Sequence, residues 1–107
     1  MGIFNFLRPN NSENQDLISM MKEGAVIIDV RTPSEFQMGH ANGAKNYPLQ
    51  TLPAHLQEIL SMEKPIIFCC ASGNRSGQAT RMAKKQGLTC ENGGGWKSVQ
   101  QMLDRMG

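Results

Sequence analysis

Two stretches interrupt the mixed polar pattern of this chain with near-continuous apolar, β-branched residues: Ala25-Val-Ile-Ile-Asp-Val30 and Pro65-Ile-Ile-Phe-Cys-Cys70. Each is short and each is followed by turn residues. That pattern predicts strands buried on both faces, as in a parallel sheet. Between and around them the apolar spacing is helical. Ser12-x-x-Gln15 reads as a capping box opening a helix that runs to Glu23, with Gly24 as the residue just past its end. Thr32-Pro33-Ser34-Glu35 is a second capping box with proline at the first helical position, and Gly39 keeps that helix short. Asn46-Tyr47-Pro48-Leu49 suits a brief edge strand, where proline is tolerated. Leu52, Leu56, Ile59 and Leu60 mark a helix packed by one face. Arg75–Gln86 reads as a helix closed by Gly87, Leu88–Glu91 as a short strand, and Gly93-Gly94-Gly95 as a turn. Trp96 begins a last helix with Val99 and Leu103 on one side. Helices alternating with buried strands predict an α/β domain: three layers, with helices flanking a central, mostly parallel sheet of four to five short strands.

The chain has 107 residues, of which 39% are hydrophobic and 19% charged. That is one domain with a radius of about 13 Å and a core of its own. Residues 1–11 read as a short arm and 12–107 as the domain. A net charge of +2, with scattered Lys and Arg, argues against a nucleic-acid partner. No apolar run approaches the roughly 20 residues that span a bilayer. The apolar patch Ile3-Phe4-Asn5-Phe6-Leu7 lacks the basic region and small-residue cleavage site of a signal peptide. Phe6 also stands where a myristoylation signal has Ser or Thr. The expectation is a cytoplasmic monomer with no membrane partner. Whether Phe4, Phe6 and Leu7 tuck onto the domain or make a weak self-contact is open at this level.

There are 3 cysteines, and Cys69 and Cys70 are adjacent. An odd number with an adjacent pair is no disulfide framework, and in a strand the two point to opposite faces. No CxxC or Cys/His cluster has zinc spacing, so no metal is expected. Cys70 stands where a strand ends, a tight polar loop follows and a helix begins. In an open α/β sheet that position holds ligands. Unpaired N–H groups and the helix dipole there favour a thiolate, and cysteines so placed have pKa values of roughly 3.5–7.5. Gly73 and Asn74 tolerate the positive φ of a tight cradle. Arg75 can add a fixed charge.

Cys70-Ala-Ser-Gly-Asn-Arg75-Ser76 resembles the Cys-x4-Arg active-site loop of rhodanese-like sulfurtransferases. Asp29-Val-Arg31-Thr-Pro-Ser-Glu35-Phe36, followed by Gly39-His40 and Gly43-Ala44, is similar to that family's N-terminal signature, and Gly94-Gly95-Trp96 to its C-terminal one. The resemblance spans about residues 24–100. It implies that Cys70 takes a sulfane sulfur as a persulfide, that Ala71, Ser72, Gly73, Asn74 and Arg75 cradle substrate, that a thiophilic acceptor removes the sulfur, and that no metal or organic cofactor takes part. The implied partners are a small-molecule donor such as thiosulfate or a persulfide, and cyanide, a thiol or a protein thiol as acceptor. Ala71 departs from relatives with a basic residue there. Arg75 is left as the one charged loop residue, which weighs against thiosulfate as the physiological donor. The arm is too short and polar for the extra first strand of many relatives.

Other readings remain. Cys69-x5-Arg75 has the spacing of cysteine phosphatases and arsenate reductases, although Phe68 stands where those phosphatases generally have His. A rhodanese-like module that only binds partners is a third possibility. Cys69 and Cys90 read as small buried hydrophobes, with a resolving thiol as the sharper alternative. Asp29, Arg31 and Glu35 read as one structural polar network. His40 reads as a bonded turn residue and His55 as a solvated helix residue. The three glycines lack the Lys-Ser/Thr of a phosphate loop. The methionines form no stripe.

Overall fold

A computed structural model describes residues 10–106, and over that span the chain alternates helix and strand. The elements are α1 (Asn10–Lys22), β1 (Val26–Asp29), α2 (Pro33–Gln37), β2 (Lys45–Asn46), a 3-10 turn (Leu49–Thr51), α3 (Leu52–Leu60), β3 (Ile66–Cys70), α4 (Asn74–Lys85), β4 (Cys90–Gly95) and α5 (Trp96–Met106). The four strands form one sheet in the order β2-β1-β3-β4, and every pairing is parallel. The radius of gyration is 13.4 Å.

The alternation of side chains along β1 and β3 feeds two separate cores. Ile28 and Val30 with Ile66, Phe68 and Cys70 face α3 and α4, against Leu52, Leu56, Ile59, Ala79 and Ala83. Ile27, Ile67 and Cys69 face the other way, onto Leu17 and Met21 of α1 and Val99 and Met102 of α5. All five residues of β3 are buried, which is why that segment reads as an unbroken apolar run. This is the three-layer α/β architecture expected, with four strands.

Several boundaries differ from the sequence reading. The first described helix includes Asn10 and Asn11, so Ser12 lies inside it rather than ahead of it; residues 1–9 of the expected arm, with Phe4, Phe6 and Leu7, lie outside the described residues. The edge strand is Lys45–Asn46, and the chain then turns through Leu49–Thr51. Leu60, expected on the buried face of α3, is exposed, and Leu52, Leu56 and Ile59 form that face.

The largest correction is at Gly93–Gly95. These residues are not a turn; they complete β4. Phe68 pairs with Asn92 and Cys69 with Gly94, so Gly93 is the extra residue of a bulge. A Cβ on Gly93 would stand 2.7 Å from Ile67 Cγ2 and 2.9 Å from Val99 Cγ2. A Cβ on Gly95 would stand 2.9 Å from the Ala71 carbonyl oxygen. The glycines let backbone approach backbone, a requirement that looks like turn chemistry when only the sequence is read.

Candidate active site

From β1 the chain passes to β2 on one side, and from β3 to β4 on the other. The connections therefore diverge between the carboxyl ends of β1 and β3, where open α/β sheets leave a crevice. Cys70 ends β3 at that point. Three residues, Ala71 to Gly73, carry the chain into α4. Gly73 is the N-cap and has φ of 104°, a left-handed conformation that glycine adopts without a Cβ penalty.

Gly73 has no side chain with which to cap α4. The Cys70 sulfur takes that place. The Gly73 N–H donates to Sγ at 3.0 Å, and the N–H of Ser76, the third helical residue, donates at 3.4 Å. The latter is the bond a capping side chain ordinarily accepts. Ser76 Oγ lies 3.3 Å from Sγ as well. Burial pushes the Cys70 thiol up. The Ser76 hydroxyl, then the N–H groups of Ser76, Gly73 and Ser72, outweigh that effect and leave its pKa below the ordinary thiol value.

Asn92 of β4 ties this loop down from the other side. Its Oδ1 accepts from Ser76 Oγ at 2.7 Å and from the Gly94 N–H at 2.9 Å, and its Nδ2 donates to the Gly73 carbonyl at 3.1 Å. A serine hydroxyl has one proton. With Cys70 as a thiol, S–H can donate to Ser76 and Ser76 to Asn92. With Cys70 as a thiolate, the hydroxyl proton is needed at sulfur.

Of the predicted cradle, Ser72 and Gly73 supply N–H groups to the sulfur. Asn74 begins α4. Ala71 places its carbonyl against Gly95. Arg75 does not point a free charge at the site: its guanidinium grips Glu35 through two bonds, Nη1–Oε1 at 2.7 Å and Nη2–Oε2 at 3.0 Å. Arg75, then the Thr32 N–H, hold the Glu35 carboxyl down to about 2. The expected capping box is present, with Glu35 Oε1 accepting from the Thr32 N–H at 3.0 Å.

The single network expected of Asp29, Arg31 and Glu35 is thus two. Asp29 is fully buried and forms its own pair with Arg31, whose Nη2 donates at 2.8 Å to Asp29 Oδ2 and at 2.6 Å to the Gly39 carbonyl. The Arg31 guanidinium lies over the Trp96 ring, 5.0 Å from its centroid, which locks the α2 region onto α5. Glu35 belongs instead to Arg75. Sequence reasoning passed over Ser76, Glu35 and Asn92 as site residues. Ser76 was detectable, since the third residue of a helix that starts at Asn74 faces its cap. Asn92 was not, because its place depends on the bulge.

Cys69 lies on the opposite face of the sheet, fully buried, and burial, with Asp29 adding to it, pushes its thiol up to about 12. It has neither the opening nor the donors that a Cys69-x5-Arg75 loop needs. Cys90 is buried and donates to the Thr80 carbonyl. His40 Nδ1 donates to the Phe36 carbonyl, 2.8 Å away, and the ring stacks on the Phe36 ring, while His55 is half-buried beside Glu58.

The family model for the rhodanese-like domain matches residues 13–107. The chain belongs to the rhodanese-like family. Among relatives of this rhodanese-like domain, protein YqhL of Bacillus subtilis is 43% identical over 65 residues, a match covering 61% of this chain and 51% of that protein. The human thiosulfate:glutathione sulfurtransferase is 36% identical over 88 residues, covering 69% of this chain and 76% of that one. The solved structure of the human single-domain sulfurtransferase TSTD1 superposes with a TM-score of 0.65 at 30% identity, covering 81% of this chain and 91% of that chain. The aligned part of this rhodanese-like domain therefore spans about half the length of one relative and about three quarters of another.

Proposed function

We propose that this domain transfers sulfane sulfur through a persulfide on Cys70. The observation that carries the reading is the capping of α4 by the Cys70 sulfur, which receives N–H donors from Gly73 and Ser76 and faces the Ser76 hydroxyl. Such a site stabilises a charged sulfur before and after transfer. The activity named for the human relative supports it.

With thiosulfate the thiolate attacks the outer sulfur. A Cys70 Sγ–S bond forms, the donor S–S bond breaks, and its electron pair leaves with sulfite. The terminal persulfide sulfur lies farther along the sulfur chain from Sγ, toward the mouth. A cyanide or thiolate acceptor then attacks that sulfur, and the Sγ–S electron pair returns to Cys70 as thiolate. Charge and electrons balance in both steps, in the two-stage pattern of covalent catalysis. The donors that lower the Cys70 pKa favour the attacking thiolate and take over the part of a general base. Ser76 follows the charge with its proton. Ala71 to Arg75 hold the walls of the site.

The working species in this proposal is a cytoplasmic monomer acting on small-molecule donors and acceptors or a protein thiol, without nucleic acid or membrane. Among the described residues no helix is long and apolar enough to cross a membrane. Light scattering at working concentration tests the monomer.

The deciding experiment is intact mass before and after a sulfane donor, on wild type and Cys70→Ser. Gain of one sulfur atom in the wild type alone, removable by cyanide, is the expected result. No gain with thiosulfate, thiosulfonate or persulfide donors overturns it and leaves a partner-binding module. Sulfur uptake that survives Cys70→Ser and is lost in Cys69→Ser overturns the assignment of the nucleophile.

A further inference from the structure

The loop that faces a sulfur donor contains Ala71, Ser72, Gly73, Asn74 and Arg75, and Arg75 is its one charged side chain. That charge is not available. The end-on fork of Nη1 and Nη2 is taken by the two oxygens of Glu35, at 2.7 and 3.0 Å, and the carboxylate cancels the charge. Glu35 is in turn fixed by three elements of its own helix start: Thr32 N–H at 3.0 Å, Thr32 Oγ1 at 3.1 Å, and Pro33, which presets the first turn. A carboxylate already held in place by its cap pairs with Arg75 at little further entropic cost. The N–H groups of Gly73 and Ser76 are likewise spent on Cys70 Sγ. The mouth therefore offers an incoming anion no unpaired cation from the loop, and the attacking form of Cys70 is itself an anion.

We propose that Glu35 determines donor choice by neutralising Arg75, so that the site takes sulfane donors of low charge, alkyl hydropersulfides and thiosulfonates, in preference to dianionic thiosulfate. The inference rests on the sulfur-transfer reading of Cys70. Bringing thiosulfate to the thiolate gathers three negative charges with nothing in the loop to offset them. A hydropersulfide gathers one as R–S–SH and two as its anion, fewer than thiosulfate in either form. In that transfer Cys70 thiolate attacks the terminal sulfur of R–S–SH, the donor S–S bond breaks, RS⁻ leaves with the electron pair, and Cys70–S–SH remains. No oxidant or reductant enters.

Glu35→Gln tests this, because glutamine keeps the capping box while removing the charge. Two readouts are taken. The first is the ratio of alkylation rates of Cys70 by iodoacetate and iodoacetamide, followed by intact mass, which senses charge at the mouth without any sulfur chemistry. The expected result is a rise of about threefold in low salt, largely lost at about 1 M salt, where the screening length is about 3 Å. The second is sulfur loading from thiosulfate and from methanethiosulfonate. Here kcat/KM for the dianion rises about tenfold and for the monoanion about threefold. Arg75→Gln has the opposite sign and lowers the iodoacetate ratio, whereas a merely damaged loop slows both reagents together. An unchanged ratio, or an equal change for both donors, overturns the inference while leaving sulfur transfer in place. Failure of the wild type to load from any donor overturns the sulfur-transfer reading, and the inference with it.

Discussion

Replacing Ser76 by alanine removes the one side-chain donor that faces the Cys70 sulfur and leaves the backbone donors of Gly73 and Ser76 in place. The perturbation is local. Asn92 Oδ1 loses the serine hydroxyl but keeps the Gly94 N–H, and Asn92 Nδ2 keeps the Gly73 carbonyl. A hydrogen bond to a charged group contributes about 1.5–3 kcal/mol. The Ser76 proton is also wanted by Asn92, so the lower end applies, and at about 1.4 kcal/mol per unit the Cys70 pKa rises by about one unit. The kinetic consequence changes sign with pH. Well below the pKa the thiolate fraction falls about tenfold, while the more basic thiolate is intrinsically about threefold more nucleophilic, so alkylation slows about threefold. Well above the pKa only the second effect remains, and Ser76→Ala reacts about threefold faster than wild type. Iodoacetamide rates from pH 5 to 10, with single alkylation verified by intact mass, measure both limbs. Curves that do not cross, or a pKa displaced by less than about 0.3 unit, would refute the donor argument.

Three further outcomes concern stability. Asp29→Asn leaves the Arg31 charge buried without its carboxylate partner and destabilises the fold by about 3–5 kcal/mol in urea unfolding; a loss under about 1 kcal/mol would mean the pair is dispensable. Gly93→Ala drives a methyl into Ile67 and Val99 and destabilises by about 1–3 kcal/mol, whereas Gly77→Ala, inside α4 with ordinary contacts, is neutral to stabilising by up to about 1 kcal/mol; equal thermal melting of the two variants would contradict the close-approach account. The Cys69 thiol is raised in the folded state to about 12 from an ordinary 9.0, so the unfolded chain ionises first. Its contribution is complete below about pH 9 and is lost as pH rises toward 12. Cys69→Ala therefore flattens the fall of the urea midpoint above pH 9, and an unaltered slope would show that Cys69 does not drive it.

What could be read without coordinates was whatever a short segment decides for itself. β1 and β3 announce themselves because burial on both faces leaves no polar period, and Thr32 to Glu35 carry their own cap. Cys70 was legible for the same reason, since strand end, tight loop and helix start are consecutive in the chain. The pairing of Glu35 with Arg75 joins residues 40 positions apart and was read instead as a partnership with the nearer Asp29 and Arg31. The glycines of β4 were mistaken for a turn because their need is set by Ile67, Val99 and Ala71 across the sheet and on α5. The first described helix takes in Ser12, which the capping-box reading sets ahead of the helix.

The groups that make Cys70 acidic come from two distant parts of the chain. The loop after β3 brings Gly73 and Ser76, and Asn92 from β4 holds that loop shut. An unfinished or misfolded chain has the same cysteine but an ordinary, sluggish thiol. Under the proposed persulfide mechanism, a polypeptide without β4 lacks the Asn92 tie that holds the donors around Cys70, and with it the means to take up sulfur. The same coupling makes the fraction of Cys70 that labels in the fast phase at neutral pH a measure of intact molecules in a preparation of this protein.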